Sequence, residues 1–264
     1  MRPPVCLDVL GEVATVKIDR PPLNLLSAEV KLALTETFES CAARHDIRVI
    51  VLCATGERAF SAGADIREFP ERIRLGNAAE VARSGHRMAA SIRECPQPVI
   101  AAIDGVAFGA GLEIALCADL RIASARSMFA FPEIRRGVFP GNAGSQLLPR
   151  LVSLGRAKEL MLTGDPVDAA TAERIGLVNR IVADGELLSE ARRLAGDLAR
   201  RPAATARFIK QLVDEGAELP LPAALELETE LFAEVFRGQD VREGAAAFLE
   251  KRQPDFTTAR PEER

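Results

Sequence analysis

Along the first half of the chain, the spacing of apolar positions switches repeatedly between the period of a strand and that of a helix. In "VCLDVLGEVATVKIDR" (5–20) two short runs flank Gly11, and in the second Ala14, Val16 and Ile18 alternate with Thr15 and Lys17. That pattern predicts a pair of antiparallel strands, ended by Pro21 and Pro22. Ser27 is placed to cap a helix in which Val30, Leu34, Phe38 and Cys41 recur at helical spacing. The apolar, β-branched run at 48–53 in "IRVIVLCATG" reads as a buried strand of a parallel sheet. A polar, helix-prone stretch follows to about Glu94, interrupted at Gly76 and Gly85. "PVIAAIDG" (98–105) is the next strand, and "VAFGAGLEIALCADLRIAS" adds a glycine-rich turn, a short apolar helix to about Ala118 and a strand at 119–123. In "DAATAERIGLVNRIVA", Asp168 caps a helix, Gly176 ends it and 177–182 extends. Repeated strand–turn–helix units imply parallel strands joined by right-handed crossovers.

After Pro202 the strand pattern stops. Helices are expected near 203–215, 222–237 and 240–251, the last opening with Asp240 three residues before Glu243 in a capping-box-like arrangement. The chain thus divides into an α/β core over 1–200 and a helical region over 201–264, with a frayed tail "TTARPEER".

Composition narrows the classes of function. The 264 residues carry a net charge of −4, with 27% charged and 48% hydrophobic positions, which describes a mildly acidic surface around a sizeable core. Nucleic acid is disfavoured as a partner because phosphate neutralisation needs a basic field, and the absence of Trp and Tyr removes most base-stacking platforms. The N-terminus lacks the layout of a signal peptide, and no apolar stretch reaches the ~18 residues of a membrane span. Cys6, Cys41, Cys53, Cys95 and Cys117 are scattered without a CxxC, which points to buried thiols in a reducing cytoplasm rather than zinc or disulfides. His45 and His86, the only histidines, have no metal-ligand spacing and read as surface or structural residues. Ser61, His86 and Asp65 could be drawn as a triad, but no GxSxG elbow surrounds the serine, and Asp65 is better placed as a helix cap.

Two loops are unusually bare. "AFSAGADI" (59–66) leaves a strand through four small residues, and Gly109–Ala110–Gly111 opens a helix. Helix-start N–H groups lack intrahelical partners, and small side chains let another group approach the backbone. Two such amides aimed at one oxygen would form an oxyanion hole, whereas the plain alternative is a pair of tight turns packed for steric reasons. GAG is no dinucleotide fingerprint, since Ile114 stands where a third glycine would be needed, and no GxxxxGK[ST] occurs. Two carboxylates sit among apolar neighbours: Glu113, three residues after Ala110, and Glu133 in "MFAFPEI". Such residues need a partner or a task. The structural options are a helix-dipole role for Glu113 and an ion pair from Glu133 to Arg135 or Arg136.

"AFSAGADI", "AAIDGVAFGAGLEIALCADLRIAS" and "FAFPEIRRGVFPGNAGSQLLPRLV" together resemble the enoyl-CoA hydratase/isomerase (crotonase) family. "RPPLNLLS", "TGDPVDAATAERIGLVNRIV" and "EGAAAFLEKRQPDF" continue the resemblance in order over nearly the whole chain. It implies a spiral of ββα units, C-terminal helices that build trimers or hexamers, an acyl-CoA thioester as substrate and no separate cofactor or metal. By the same resemblance, the amides of Ala62 and Ala110 hold the thioester oxygen. Ala64 lies near the adenine, Phe248 and Lys251 touch the CoA end, and Asp65, Ile66, Gly109 and Pro132 are further substrate-binding positions. Glu113 activates water, Glu133 delivers the proton to C2, and the Gly141 backbone helps form the water site. The residues fit that division: a helix start favours an ionised Glu113, and desolvation beside Phe129, Phe131, Pro132 and Ile134 favours a protonated Glu133 unless Arg135 or Arg136 turns inward. Departures from the family pattern include Ala110 in place of glycine, Asn142 in place of a small residue, and Arg136 and Phe139; they bear on acyl specificity. The apolar side of "IREFPERIR" (Ile66, Phe69, Ile73) is a candidate wall of the acyl pocket. An enoyl-CoA isomerase or decarboxylase on the same fold, and a non-catalytic RNA- or acyl-CoA-binding protein, are the alternatives; retention of both glutamates favours hydration.

Overall fold

The computed structural model describes residues 2–256, so the expectation of a frayed tail at 257–264 lies outside the described residues. A single motif recurs three times: a strand in a large sheet, a short strand in a small sheet, then helix. Val49–Ala54 (β3), Ala59–Ser61 (β4) and the helices Phe69–Leu75 (α2) and Ala78–Arg93 (α3) form the first turn. Val99–Ile103 (β5), Val106–Phe108 (β6) and Ala110–Leu116 (α4) form the second. Leu120–Ser124 (β7), Met128–Ala130 (β8), Gly144–Leu151 (α5) and Leu154–Thr163 (α6) form the third. This is the ββα spiral expected from the resemblance.

The large sheet is completed by the antiparallel pair Val5–Leu10 (β1) and Val13–Ile18 (β2) and by Arg180–Val182 (β10), in the order β1-β2-β3-β5-β7-β10. From β2 onward, every neighbouring pair is parallel. The small sheet runs β4-β6-β8 in parallel and is closed by an antiparallel two-residue strand, Val167–Asp168 (β9). Asp168 caps Ala169–Arg174 (α7) by accepting from Thr171 N–H at 2.8 Å.

The apolar run in β3 needs no alternation because both faces are covered. Ile50 and Leu52 enter the main core with Val30, Leu34, Phe38 and Cys41 of the helix Ala28–Ala42 (α1), whereas Val49, Val51 and Cys53 meet Leu187, Ala191 and Ala195 of Leu187–Ala199 (α8). Ser27 caps α1 as expected, its Oγ accepting from Val30 N–H at 3.3 Å.

Three expectations are corrected. Gly76, in a left-handed conformation, does separate α2 from α3, but Gly85 lies inside α3, where the missing side chain makes room for Asn142. The strand expected over 98–105 stops at Ile103, and Gly105 turns the chain into β6, so the small sheet was not visible in the pattern. Asp240 does not cap: Gly238 precedes the helix Gln239–Leu249 (α11) without a side-chain cap, and Glu243 pairs with Arg252 instead. Ahead of α11 lie Ala203–Gly216 (α9) and Leu221–Arg237 (α10), which pack on each other.

Candidate active site

The two bare loops meet. "RPPLNLLS" runs beside residues 59–65 and holds them in place: Leu23 O accepts from Ala62 N–H at 2.9 Å, Leu26 N–H donates to Gly63 O at 2.9 Å, and Asn24 Nδ2 donates to Ala59 O at 2.7 Å. On the opposite side, Gly63 packs against the second loop. With φ +108 it occupies backbone space closed to most residues, and a Cβ there would lie 3.1 Å from Phe108 O and 3.8 Å from Ala110 N. The sequence reading of Ala62 as an oxyanion donor is therefore corrected, because its amide is already bound to Leu23 O. The bridge between Leu26 and Ala64 turns the Ala64 N–H away from that segment, and among the described residues it makes no hydrogen bond.

Ala110 begins α4, whose seven residues are all buried. Its N–H is one of the helix-start donors without an intrahelical acceptor. Gly109 sets the entry angle with φ 52 and ψ −125, and its own N–H donates to Ala130 O at 2.8 Å. A Cβ on Gly109 would lie 2.5 Å from Glu133 Oε1, so the backbone of this turn lies directly under the second carboxyl.

Glu113 is 1% exposed. Its Oε1 accepts from the backbone N–H of Asn142 at 2.7 Å and of Gly144 at 2.8 Å, and its Oε2 accepts from Asn142 Nδ2 at 2.6 Å. Burial pushes its carboxyl above the ordinary range, while these three donors, and the Lys31 ammonium behind them, pull the other way. The expectation that the helix start keeps Glu113 charged is thus revised: its donors come from the 142–144 loop, 29 and 31 residues away.

Glu133 contrasts with this. It sits in the short 3-10 turn Pro132–Arg136, and its Oε2 is buried without a hydrogen-bond partner among the described residues. Burial, reinforced by the charge of Glu113, raises its pKa from 4.5 to about 7. Arg135 and Arg136 do not undo this. Arg135 pairs with Asp165, and Arg136 Nη1 turns back to Pro132 O at 3.2 Å, both on the exposed side of the turn.

The other expected positions are more dispersed. Asp65 caps the 3-10 turn Ile66–Glu68 and pairs with Arg67 at 2.6 Å, and Ile66 is half-exposed beside it. Gly141 lies next to the 142–144 loop, and its N–H makes no hydrogen bond among the described residues. Phe248, 84% exposed, and Lys251 close the far end of α11, and no hydrogen bond or ion pair joins them to the carboxyl pair among the described residues. His45 and His86 are exposed. Among the described residues no group of three or more His, Cys, Asp or Glu side chains is placed to hold a metal, and no helix is long and apolar enough to cross a membrane.

Sequence reasoning missed Lys31 and undervalued Asn142. Lys31 Nζ donates to Asn142 Oδ1 at 2.7 Å. The available signal was position: Lys31 lies three residues before Leu34 and seven before Phe38, on the inner face of α1.

The sequence profile of the enoyl-CoA hydratase/isomerase family matches residues 9–259. The chain belongs to that family. It is 35% identical over 253 residues to the crotonyl-CoA hydratase of Syntrophomonas wolfei, covering 96% of this chain and 97% of that protein. It is also 35% identical to the short-chain-enoyl-CoA hydratase of Clostridium acetobutylicum, over 94% of this chain and 95% of that one. Among solved structures, an enoyl-CoA hydratase from Geobacillus kaustophilus superposes with a TM-score of 0.93 at 30% identity, covering 97% of both chains. In this member of the hydratase/isomerase family, the bare loops and the two glutamates lie next to one another.

Proposed function

We propose that this enzyme adds water across the 2,3 double bond of a 2-enoyl-CoA thioester, with Glu113 and Glu133 as its two acid–base groups. The observation that carries the reading is the inequality of the two carboxyls. Three N–H donors favour the ionised form of Glu113, and the orphaned, desolvated Glu133 favours its protonated form. A base for water and an acid for C2 are thereby set side by side at one helix start.

The thioester oxygen gains charge as water adds at C3. The amides of Ala64 and Ala110 are the donors for it: Gly63 brings the two loops together, and neither strand pairing nor helix satisfies these N–H groups. Glu113 takes the proton of the water, whose oxygen bonds to C3, and Glu133 transfers its proton to C2 as the enolate collapses. One proton is gained and one lost by the pair, so the enzyme needs a proton exchange between them before the next turnover. Asp65, Ile66, Gly109, Pro132 and Gly141 remain as substrate- and water-positioning residues in this reading, and CoA is part of the substrate.

The helical region 201–264 is read as the oligomerisation unit. Leu225, Phe232 and Phe236 on α10, with Ile209 and Val213 on α9, are exposed in the single chain, which supports burial against other copies in a trimer or hexamer. Sedimentation should give a mass that is a multiple of three protomers. Four of the five free thiols are buried, in keeping with a reducing, cytoplasmic setting.

The test is direct. A 2-enoyl-CoA is incubated with the enzyme and the absorbance of its conjugated thioester followed. Loss of that absorbance with formation of the 3-hydroxyacyl product supports hydration. A migrated double bond would indicate isomerisation, and no turnover with retention of RNA at physiological salt would indicate a binding protein.

A further inference from the structure

Lys31 is 6% exposed, and among the described residues no carboxylate lies at ion-pair distance from it. A buried ammonium in that condition is costly, and a methionine would fill the same space without the cost. Its hydrogen bond runs to Asn142 Oδ1 at 2.7 Å, and Asn142 Nδ2 continues to Glu113 Oε2 at 2.6 Å. An ammonium has only donors, so the amide atom that faces it is the oxygen. The amide nitrogen must then face Glu113. The reversed amide would set its oxygen against a carboxylate and its NH2 against an ammonium, two repulsive contacts in place of two attractive ones. Gly85 completes the arrangement, because a Cβ there would lie 2.1 Å from Asn142 Oδ1. Three helices and one loop therefore converge on the orientation of a single amide.

We propose that Lys31 is a positioning residue for Glu113: through Asn142, 111 residues away, it fixes the third donor on the Glu113 carboxylate and favours its ionised form. The proposal rests on the reading of Glu113 as the group that activates water. The charged groups around the relay are few. Burial lowers the Lys31 pKa, Glu113 of α4 and Glu68 of the Ile66–Glu68 turn raise it, Arg72 of α2 lowers it, and Glu113 in turn acts on Glu133. Glu68 is engaged by Arg72 at 3.1 Å, and Cys117, one turn along α4, stays a thiol because burial pushes it up to about 12.

The experiment compares the pH dependence of kcat for the wild type, Lys31→Met, Asn142→Ala, the double variant and Glu113→Gln. Loss of the positive charge or of the amide donor makes Glu113 harder to ionise, so the acid limb moves to higher pH, by about one unit for a charge at this range. KM for the enoyl-CoA stays within about twofold, because neither side chain reaches the CoA in this reading. Part of the Lys31 effect runs through Asn142 and part is the direct attraction of its charge for Glu113, so the double variant should move the limb by less than the sum of the two single shifts. An unmoved acid limb in the folded variants, or additive losses, would overturn the proposal. A purely structural lysine would lower the active fraction at every pH without moving the limb. If Lys31→Met does not fold, Asn142→Ala cuts the same relay with the lysine retained, and its acid limb decides. Near-normal turnover by Glu113→Gln would instead remove the underlying reading of Glu113, whatever the lysine variant does.

Discussion

Glu133→Gln should make the enzyme more stable and nearly inactive at once, with a gain in stability that depends on pH. In the folded protein the Glu133 carboxyl is raised from 4.5 to about 7, burial being the main cause and the charge of Glu113 the next among those that raise it. The sign follows from proton binding. The folded state holds this proton more tightly than the unfolded chain, so its contribution is fully present below about pH 4.5 and is lost as pH rises through about 7. A displacement of that size corresponds to about 3.4 kcal/mol. Partial exposure of the side chain reduces this to about 2 kcal/mol. Gln copies the protonated form and cannot ionise. Its advantage over the wild type should therefore be near zero at pH 4.5, grow between pH 4.5 and 7, and level off above. For a chain of this length, about 2 kcal/mol corresponds to a rise in Tm of roughly 4 °C or more at pH 8. Thermal unfolding of both proteins at matched concentration, from pH 4.5 to 8.5, measures it, and kcat measured in parallel should fall by about 10²-fold or more. A Tm difference that is flat with pH would refute the argument, as would a variant less stable than the wild type at pH 8.

Three further expectations concern the same site. Glu113→Gln should lower kcat by about 10²- to 10⁴-fold while binding of a CoA ester, followed by calorimetry, persists. Ala110→Pro removes one amide proton at a helix position that tolerates proline, so kcat should drop by about 10²- to 10³-fold with the helical circular dichroism retained. Gly85→Ala improves the intrinsic helix propensity of α3 but drives a methyl group into Asn142, at 2.1 Å from its Oδ1. Activity and stability should both fall, and Gly85→Ala combined with Asn142→Ala should recover the packing but not the lost donor.

Much of this was legible in the chain itself. The α1 stripe, the Ser27 cap and the parallel strand at β3 follow from spacing alone, and the three C-terminal helices fall within two residues of their expected limits. The small sheet was not, because strands of three residues such as Ala59–Ser61 are too short to show an alternation. At the site, the carboxylates stood out as charges amid apolar neighbours. Their donors did not, because a bond from Asn142 to Glu113 spans 29 residues and has no local signature. Ala62 and Ala64 are equivalent in sequence character. Only the pairing with Leu23 and Leu26 shows which amide is spent and which is turned outward. Gly85 reads as a helix breaker until its neighbour across the interface is known.

The 142–144 loop has a consequence for how the molecule is made. While synthesis has reached only the second ββα turn, α4 and its glutamate exist but the amides that solvate that carboxylate have not yet been added. An unsolvated carboxylate cannot enter an apolar interior cheaply, so a nascent chain of that length keeps α4 hydrated and loosely held. Closure of the interior and completion of the acid–base pair are thereby one event, which waits for the third turn to arrive.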